Sequence, residues 1–351
     1  MSEYDCERIQ QASKEALRAL IESGGQQLLQ PLLEYAEGIR RQYYGKRVFF
    51  RGLIEFTNYC KHDCHYCGLQ RSNRTLHRYR LSQEEVLTCC EDGYARGFRS
   101  LVLQGGEDPF YNGGRIVELA AAIKKALPDC SLTLSVGELP HALYQALREA
   151  GTDRFLLRHE TADAAHYARL HPQEMTLDTR KECLYAIKKT GMAVGAGFMV
   201  GSPYQTAEHL AGDLLFLKEL QPHMVGVGPF LPQSKTQFSG FAAGGLYLTL
   251  NMLALVRLML PKVLLPATTA LGTLSENGRE LGLKAGANVV MPNLTPLRFR
   301  KDYMLYDNKI GVDDGVGEGL ARMIESVEKA GYTPDFSRGD HIDHLKTEEA
   351  V

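Results

Sequence analysis

The sequence lacks an excess of charge of either sign. Its 351 residues include 40 Lys and Arg against 42 Asp and Glu, which gives a formal net charge of -2. Proteins that bind nucleic acid or an anionic membrane usually present a strongly basic surface, which this balance does not supply. We therefore expect neither a nucleic acid nor a membrane as partner. Any anion has to be bound by a local group of side chains.

Long apolar runs are also missing. The longest of them, such as residues 246–260, are interrupted by Asn251 and Arg257 and do not reach the roughly 18 to 20 residues that a membrane-spanning helix needs. The first residues, MSEYDCERIQ, are polar and lack the apolar segment of a signal peptide. The 8 cysteines are too few to form a disulfide framework in a chain of this length. These features predict a cytoplasmic protein in which clustered thiols bind metal or take part in redox chemistry.

The chain is predicted to be a single barrel domain with a helical cap. Residues 1–46 contain two predicted helices, 5–22 and 26–44, because their apolar residues recur at helical spacing. From residue 47 to 335, apolar or β-branched runs alternate with amphipathic segments, which is typical of a (β/α)8 barrel, and an open six-stranded barrel is the alternative. Residues 336–351 read as a polar, loosely held C-terminal tail. The eight predicted strands are 48–58, 100–106, 131–138, 154–160, 193–201, 223–230, 264–270 and 288–293.

Several predicted strands contain charged or polar residues where a barrel core is expected to be apolar. Arg51, Glu55 and Thr57 share one face of the first strand, because side chains alternate along a strand. Unpaired charges in a dry core are costly, so these residues predict a polar cavity inside the barrel. Ion pairs at the ends of the barrel are the alternative interpretation. Other polar strand residues are Thr133, Ser135, Arg154, Arg158, Glu160, Thr268 and Thr269.

Three cysteines follow the first predicted strand in the segment CKHDCHYC. Cys60, Cys64 and Cys67 have the spacing C-x3-C-x2-C. A zinc site is one hypothesis, since His62 or His65 could supply a fourth ligand. Three closely spaced thiolates also suit a cubane iron-sulfur cluster, in which one iron stays free to bind another ligand. Spacing alone favours the cluster and leaves zinc open.

Two motifs together resemble the radical S-adenosylmethionine (SAM) superfamily. The first is the cysteine triplet with Tyr66 before its last cysteine, and the second is Gly105-Gly106-Glu107 at the end of the next strand. Within that superfamily the sequence is similar to the HydE-type FeFe-hydrogenase maturases over nearly its whole length. The stretches that carry this similarity include IEFTNYCKHDCHYCGL, LVLQGGEDPFY, GAGFMVGSPYQT, LPATTALGT and GANVVMPNLTP. Some members carry a second, three-cysteine cluster, for which residues 310–330 supply no cysteine.

The resemblance implies a 4Fe-4S cluster and SAM as cofactors. Cys60, Cys64 and Cys67 would bind the cluster, and SAM would occupy its fourth iron. Arg180 would pair with the SAM carboxylate, while Glu160 would hydrogen-bond the ribose. The residues implied to contact SAM are Tyr66, Gln104, Gly105, Gly106, Glu107, Ser135, Arg158, Glu160, Arg180 and Met199.

The resemblance also implies an enzyme that cleaves SAM reductively to a 5'-deoxyadenosyl radical during assembly of the FeFe-hydrogenase active-site cluster. Its substrate would be a small organometallic molecule, a cysteine-bound iron carbonyl cyanide species. Other hydrogenase maturases and a reducing electron donor would be its partners. A radical SAM amino-acid mutase resembling methylornithine synthase is one alternative, and a non-catalytic metal-cluster scaffold is another. The residues expected to line the substrate cavity are Arg51, Arg154, Thr268, Thr269, Tyr303 and Tyr306.

Overall fold

A computed structural model describes residues 5–24, 27–111 and 113–344. Within that part of the chain the strands are β1 (Arg47–Phe50), β2 (Gly52–Thr57), β3 (Ser100–Gly105), β4 (Ser131–Ser135), β5 (Arg154–Leu156), β6 (Ala193–Val200), β7 (Met224–Pro229), β8 (Val289–Val290) and β9 (Thr333–Asp335). The helices are α1 (Cys6–Gln11), α2 (Lys14–Ser23), α3 (Gln30–Tyr44), α4 (Gln83–Ala95), α5 (Gly114–Ala126), α6 (His141–Glu149), α7 (Ala164–Leu170), α8 (Leu177–Lys189), α9 (Ala207–Leu220), α10 (Leu246–Met259), α11 (Thr269–Leu274), α12 (Gly278–Lys284), α13 (Leu297–Arg300) and α14 (Val316–Lys329). None of the described helices is both long enough and apolar enough to cross a membrane.

The strands form a closed parallel barrel. Strands β2 to β7 pair in sequence order, and β1 pairs with β8. Between β7 and β8 the ring is completed by isolated parallel bridges, Met224 to Leu264 and Pro266 to Val289, and a third bridge joins Leu53 to Asn293. Parallel neighbours require crossover connections, which the helices between the strands provide. The predicted (β/α)8 barrel is therefore confirmed.

Two of the predicted strands differ from the observed ones. The run 48–58 is divided at Arg51 into β1 and β2, because β1 pairs with β8 and β9 whereas β2 pairs with β3. The run 264–270 contributes only its isolated bridges, and its threonines turn toward a helix instead. Thr268 is the N-cap of α11, where its hydroxyl accepts a hydrogen bond from the Leu271 amide at 3.3 Å. A cap satisfies an amide that the first helical turn leaves unpaired, which competes with extension of the strand.

The helical cap also differs from the prediction. Residues 5–24 form two short helices, α1 and α2, where one helix was expected. The break lies at Ala12 and Ser13, both of which have extended backbone, and the Ser13 hydroxyl accepts a hydrogen bond from the Ala16 amide. Serine favours such an N-cap over a helix interior, so it begins a second helix. Residues 25 and 26 lie outside the described residues, and residue 26 is the first residue of the second predicted helix.

The segment that follows α14 closes the amino-terminal end of the barrel. Arg154, the first residue of β5, donates hydrogen bonds to the Arg338 carbonyl at 2.5 Å and to Asp340 Oδ1 at 2.6 Å. Arg51 donates to the Gly339 carbonyl at 3.3 Å, and Phe336 stacks on a phenylalanine of β1. The prediction of a loose tail from residue 336 is therefore wrong for this part, while residues 345–351 lie outside the described chain. Strand β9, which the sequence did not reveal, leads into this segment.

The surroundings of Arg51 and Arg154 also differ from those expected. Both lie at the amino-terminal end of the barrel, opposite the loop that carries the cysteines. Part of each guanidinium holds the closing segment, because a buried arginine needs acceptors for its donors. The Nε atoms of both arginines, together with Thr133 Oγ1, are buried without a hydrogen-bond partner among the described residues. Whether a substrate uses these atoms stays a prediction.

Replacement of Asp340 tests the closing segment. Asp340→Ala leaves the buried Arg154 guanidinium without its carboxylate, so we expect the free energy of unfolding to fall by about 2 to 3 kcal/mol. Urea denaturation followed by circular dichroism measures this change. Glu325→Ala, which removes an exposed pair with Lys329, is the control and should cost less than about 0.5 kcal/mol. Equal losses in the two variants would contradict a stabilising role for the segment.

The same pair gives a pH dependence. Burial alone would raise the pKa of Asp340, but the charges of Arg154 and Arg338 and their hydrogen bonds outweigh burial and lower the pKa. Because the folded pKa is the lower one, the stabilisation is present above about pH 4 and is lost as the pH falls through the folded value. The difference between Asp340→Ala and the parent protein should therefore shrink in acid.

Candidate active site

The three cysteines of CKHDCHYC lie in one loop after β2, at the carboxyl ends of the strands. Backbone hydrogen bonds fix this loop against three others. The Lys61 amide donates to the Glu107 carbonyl at 3.0 Å, the His65 amide to the Leu170 carbonyl at 2.9 Å, and the Gly68 amide to the Leu305 carbonyl at 2.9 Å. The thiols are thus held in place by the surrounding fold, as a preorganised binding site requires.

The thiols of Cys60, Cys64 and Cys67 are free, and their environment disfavours the thiolate form. Burial raises the pKa of all three, that of Cys67 to about 12, and the charge of a neighbouring thiolate adds to the rise at Cys64 and Cys67. Among the described residues no three His, Cys, Asp or Glu side chains converge closely enough to hold a single metal ion. The thiolates of a cubane cluster bind different irons and need not converge on one point. The set therefore fits a cluster whose positive charge stabilises thiolates.

Glu107 joins the second motif to the cysteine loop. Its Oε2 lies 2.9 Å from His62 Nε2 and 3.2 Å from Lys61 Nζ. Burial alone would raise the pKa of Glu107, but the His62 hydrogen bond and the Arg180 charge outweigh burial and lower the pKa to about 2. The carboxylate is therefore ionised at any physiological pH. A side chain on Gly106 would strike the backbone of the cysteine loop, so glycine is needed for this close approach.

Arg180 lies close to the same carboxylate. It is buried in the first turn of α8, with Nε 2.7 Å from Glu138 Oε1 and NH2 3.8 Å from Glu107 Oε1. Its NH1 donates to the Arg158 carbonyl at 3.1 Å. Although burial opposes the charged form, Tyr167 and the two carboxylates outweigh it and raise the pKa of Arg180. The guanidinium is thus a fixed positive charge beside the cysteines.

Arg158 and Glu160 form a second ion pair beyond the end of β5. The Arg158 NH2 atom lies 2.9 Å from Glu160 Oε2, yet neither atom has a well-aligned hydrogen bond among the described residues. Glu160 has a φ of 64°, the left-handed region that a residue with a Cβ rarely occupies. Its amide and carbonyl bind β6 through Gly197 and Met199, which holds the backbone there. Such strain often marks a binding position.

Tyr66 and Met199 meet in a small hydrophobic cluster with Leu170, Phe230 and Phe238. These apolar side chains pack together because β6 brings Met199 beside the cysteine loop. The Tyr66 hydroxyl lies 3.1 Å from a nitrogen of the buried His171. This arrangement provides a flat apolar wall next to the thiols, of the kind that an aromatic ring can pack against.

A polar group lies at the barrel axis below the cysteine loop. Glu55 Oε1 pairs with Lys309 Nζ at 2.5 Å, and Glu55 Oε2 accepts a hydrogen bond from Asn293 at 2.9 Å. Lys309 Nζ also donates to the Tyr303 carbonyl at 3.0 Å, and the Tyr303 hydroxyl accepts from Gln104 at 3.3 Å. Glu55 and Lys309 are both almost fully buried, so each satisfies the charge of the other.

The remaining cavity residues lie around α11. Thr269 Oγ1 is 3.4 Å from the NH2 atom of Arg279. Tyr306 lies beside this arginine, and burial raises the pKa of Tyr306 to about 12. Glycine in β7 makes room there, since a Cβ on Gly228 would lie 3.0 Å from Thr268 Oγ1. A cavity of about 370 Å³ extends from Glu55 and Thr269 past Arg279 toward α14. Ser135 ends β4 beside Gln104 of β3.

The structure brings most of the predicted site residues together at one end of the barrel, but two participants were missed. Glu138 ends the run SLTLSVGE, so its strand-end position was an available signal of the same kind as that of Glu107. Lys309 lies in a loop without a recognisable motif, and only the fold places it beside Glu55. His62, considered as a zinc ligand, binds Glu107 instead.

Comparisons with known proteins show what the chain resembles. The model of the radical SAM superfamily matches residues 54–217. The chain is 41% identical over 322 residues to the [FeFe] hydrogenase maturase subunit HydE of Thermotoga maritima, covering 92% of each chain. It is 33% identical over 326 residues to 3-methylornithine synthase of Methanosarcina acetivorans, covering 92% of this chain and 91% of that one.

Solved structures show the same barrel. The structure of methylornithine synthase superimposes with a TM-score of 0.80 at 28% identity, covering 94% of this chain and 97% of that chain. The maturase HydG from Carboxydothermus hydrogenoformans superimposes with a TM-score of 0.79 at 21% identity, covering 94% and 77%, respectively. At that lower identity the second likeness concerns the fold.

Gly137 offers a test of the site geometry. It has a φ of 75°, and a Cβ at this position would overlap the Glu107 side chain. Gly191→Ala is a matched control, because Gly191 has a φ of 78° and nothing within 4 Å of its would-be Cβ. We expect Gly137→Ala to lower the free energy of unfolding by about 1 to 3 kcal/mol more than the control, since only it adds a steric clash to the backbone strain. Equal losses in urea denaturation would show that Glu107 can move freely.

Proposed function

This chain belongs to the radical SAM superfamily and, within it, to the HydE-type FeFe-hydrogenase maturases, and from that premise we propose that it acts in assembly of the FeFe-hydrogenase active-site cluster. As a radical SAM enzyme it uses a 4Fe-4S cluster and SAM. The observation that carries the proposal is the contact between the cysteine loop and Glu107, because it joins the two motifs of the superfamily into one site.

The cysteine loop is proposed to hold the cluster. The thiols of Cys60, Cys64 and Cys67 are the donors, and the hydrogen bonds of their loop keep them in position. When bound, the cluster would supply the one electron needed for reductive cleavage of the SAM carbon-sulfur bond to methionine and the 5'-deoxyadenosyl radical. The barrel contributes by excluding water and competing reactants from this reaction.

The residues around the cysteines are proposed to bind SAM. Glu107 carries a fixed negative charge suited to the SAM ammonium, with the backbone of Gly105 and Gly106 beside it. Arg180 carries the fixed positive charge suited to the SAM carboxylate. Arg158 and Glu160 have buried polar atoms without a hydrogen-bond partner, which suit the ribose. The apolar wall of Tyr66 and Met199 suits the adenine. The proposed set is completed by Gln104 and Ser135, which lie side by side on β3 and β4.

The barrel interior is proposed to bind the substrate, a cysteine-bound iron carbonyl cyanide species. Such a molecule presents a carboxylate and cyanide nitrogens, both of which accept hydrogen bonds. Support comes from the unsatisfied donors Arg51 Nε, Arg154 Nε and Thr133 Oγ1. The hydroxyl groups of Thr268, Thr269, Tyr303 and Tyr306 lie toward the opposite, carboxyl end of the barrel. We also propose that the protein acts in the cytoplasm and that its partners are other maturases and an electron donor.

Iron content tests the assignment of the cysteines. Cys64→Ala should abolish the cluster, because a cubane held by two protein thiolates lacks a required ligand. We expect about four irons per chain in the anaerobically reconstituted parent protein and a near-complete loss in the variant. Cys89→Ala, a buried cysteine on α4, serves as control and should retain full iron content. Iron retained by Cys64→Ala would contradict the cluster assignment.

The substrate separates the maturase from an amino-acid mutase, which the similarity to 3-methylornithine synthase favours as second candidate. We expect 5'-deoxyadenosine formation to be stimulated by a cysteine-iron carbonyl cyanide complex and not by lysine. A site with buried donors discriminates against ligands that lack the matching acceptors. Hydrogenase activation in a maturation mixture provides the second readout. Stimulation by lysine without hydrogenase activation would favour the mutase.

A further inference from the structure

An exposed aromatic patch lies on the outer side of the cysteine loop. It consists of Tyr204, which is 46% exposed, Phe241, which is 38% exposed, and Arg169. The two rings lie 5.4 Å apart, and the Arg169 guanidinium sits 3.7 Å from the centre of the Tyr204 ring. Tyrosine and arginine are among the residues enriched at the energetic centres of protein interfaces, and large aromatic side chains exposed together often mark such sites.

The patch is connected directly to the cysteines. Phe238 packs edge-on against Phe241 at 5.4 Å and against the His65 ring at 5.8 Å. His65 lies between Cys64 and Cys67 in the chain, and its carbonyl accepts a hydrogen bond from the Phe238 amide at 3.3 Å. His65 Nδ1 also lies 3.0 Å from the Arg169 carbonyl. A protein bound at the patch would therefore sit over the loop that holds the cluster. Electron transfer slows steeply with distance, so this position matters.

The backbone holds Tyr204 in this exposed position at a cost. Its φ is 67°, in the left-handed region that residues with a Cβ rarely adopt. The strain is maintained by the turn after β6, where Gln205 hydrogen-bonds the Gly201 amide at 2.6 Å and the Met199 carbonyl at 2.8 Å. An aromatic residue that is both strained and 46% exposed is more readily explained by binding than by stability.

Two exposed cations belong to the patch and to the loop beside it. Arg169 within the patch and Lys235, three residues before Phe238, are exposed and form no ion pair with a carboxylate among the described residues. Two carboxylates in adjoining loops are held by hydrogen bonds. Asp63 binds Arg71 and the Ser72 amide, and Asp307 binds the side chain of Gln233 and the Ser234 amide. An acidic partner would meet unpaired cations here, which favours fast association.

We propose that the aromatic patch of Tyr204, Phe241 and Arg169 is the docking surface for an acidic one-electron carrier protein of the flavodoxin or ferredoxin class. The proposal rests on the proposed function, since only a radical SAM site needs this electron. In the transfer the carrier loses one electron and the cluster gains it, while no bond forms or breaks and no proton moves. A small aromatic centre with a charged surround suits a brief encounter, as in other redox pairs.

Three substitutions test the surface. Phe241→Ala removes an exposed ring, and Arg169→Glu reverses a charge. Tyr204→Asn removes the aromatic side chain while keeping a residue that tolerates the left-handed backbone. Tyr247→Ala, which alters a tyrosine 47% exposed on α10, and Arg8→Glu, on the exposed side of α1, are the matched controls. Reduced flavodoxin and dithionite serve as alternative electron sources.

We expect the dissociation constant for flavodoxin, measured by biolayer interferometry on the reconstituted protein, to rise about tenfold in each patch variant and to stay unchanged in the controls. The KM for flavodoxin in SAM cleavage should rise in parallel, whereas cleavage driven by dithionite should keep the parent rate. The Arg169→Glu variant should also show a weaker dependence of binding on salt, because one attractive charge has become repulsive.

Three results would overturn the proposal. The first is unchanged flavodoxin binding in all patch variants. The second is an equal loss of activity with dithionite, which would assign the patch to the SAM site. The third is unchanged flavodoxin binding together with impaired hydrogenase activation, which would assign the patch to another maturase. A parent protein that cleaves no SAM even with dithionite would contradict the proposed function instead, and the binding measurement would still decide on the surface.

Discussion

The carboxylate of Glu107 is the interaction on which the site depends. It is fixed by His62 and Lys61 from the cysteine loop and lies near Arg180 from α8, so three separate stretches of chain meet at one negative charge. Two glycines near the carboxylate allow this close approach. A side chain on Gly106 would overlap the cysteine loop, and a side chain on Gly137 would overlap Glu107 itself. The cysteines are therefore positioned by electrostatics and close backbone packing at the top of the barrel.

Buried arginines have two different uses in this barrel. Arg40, Arg257 and Arg300 direct most of their donors to backbone carbonyls of neighbouring loops, which secures the turns around the strands. The buried Arg180 and the partly exposed Arg158 instead lie against carboxylates beside the cysteines. A guanidinium that donates to backbone carbonyls stabilises the fold. A guanidinium that pairs with carboxylates belongs to a network of charges, and such a network can also bind a zwitterionic ligand.

The sequence predicts those parts of the molecule that depend on local spacing. Examples are the cysteine triplet, Glu107 and the alternation of strands and helices. Each can be recognised from a few consecutive residues. The pairing of Glu55 with Lys309 and the closure of the barrel by Arg338 and Asp340 are not visible, since they join residues far apart in the chain. The strand predicted at 264–270 failed for a related reason, because the capping of α11 by Thr268 competes with an extended conformation that composition alone favours.

Strand β9 carries a consequence for the order in which the molecule is built. Among the described residues it is the last strand, yet it pairs with β1, the first, and it leads into the segment that covers the amino-terminal end of the barrel. Contacts between such distant residues pay a large loop-closure entropy and tend to form late in folding. During synthesis on the ribosome, the cysteine loop and most of the barrel emerge while this end is still open. The segment that covers the amino-terminal end of the barrel is thus among the last parts of the enzyme to be made.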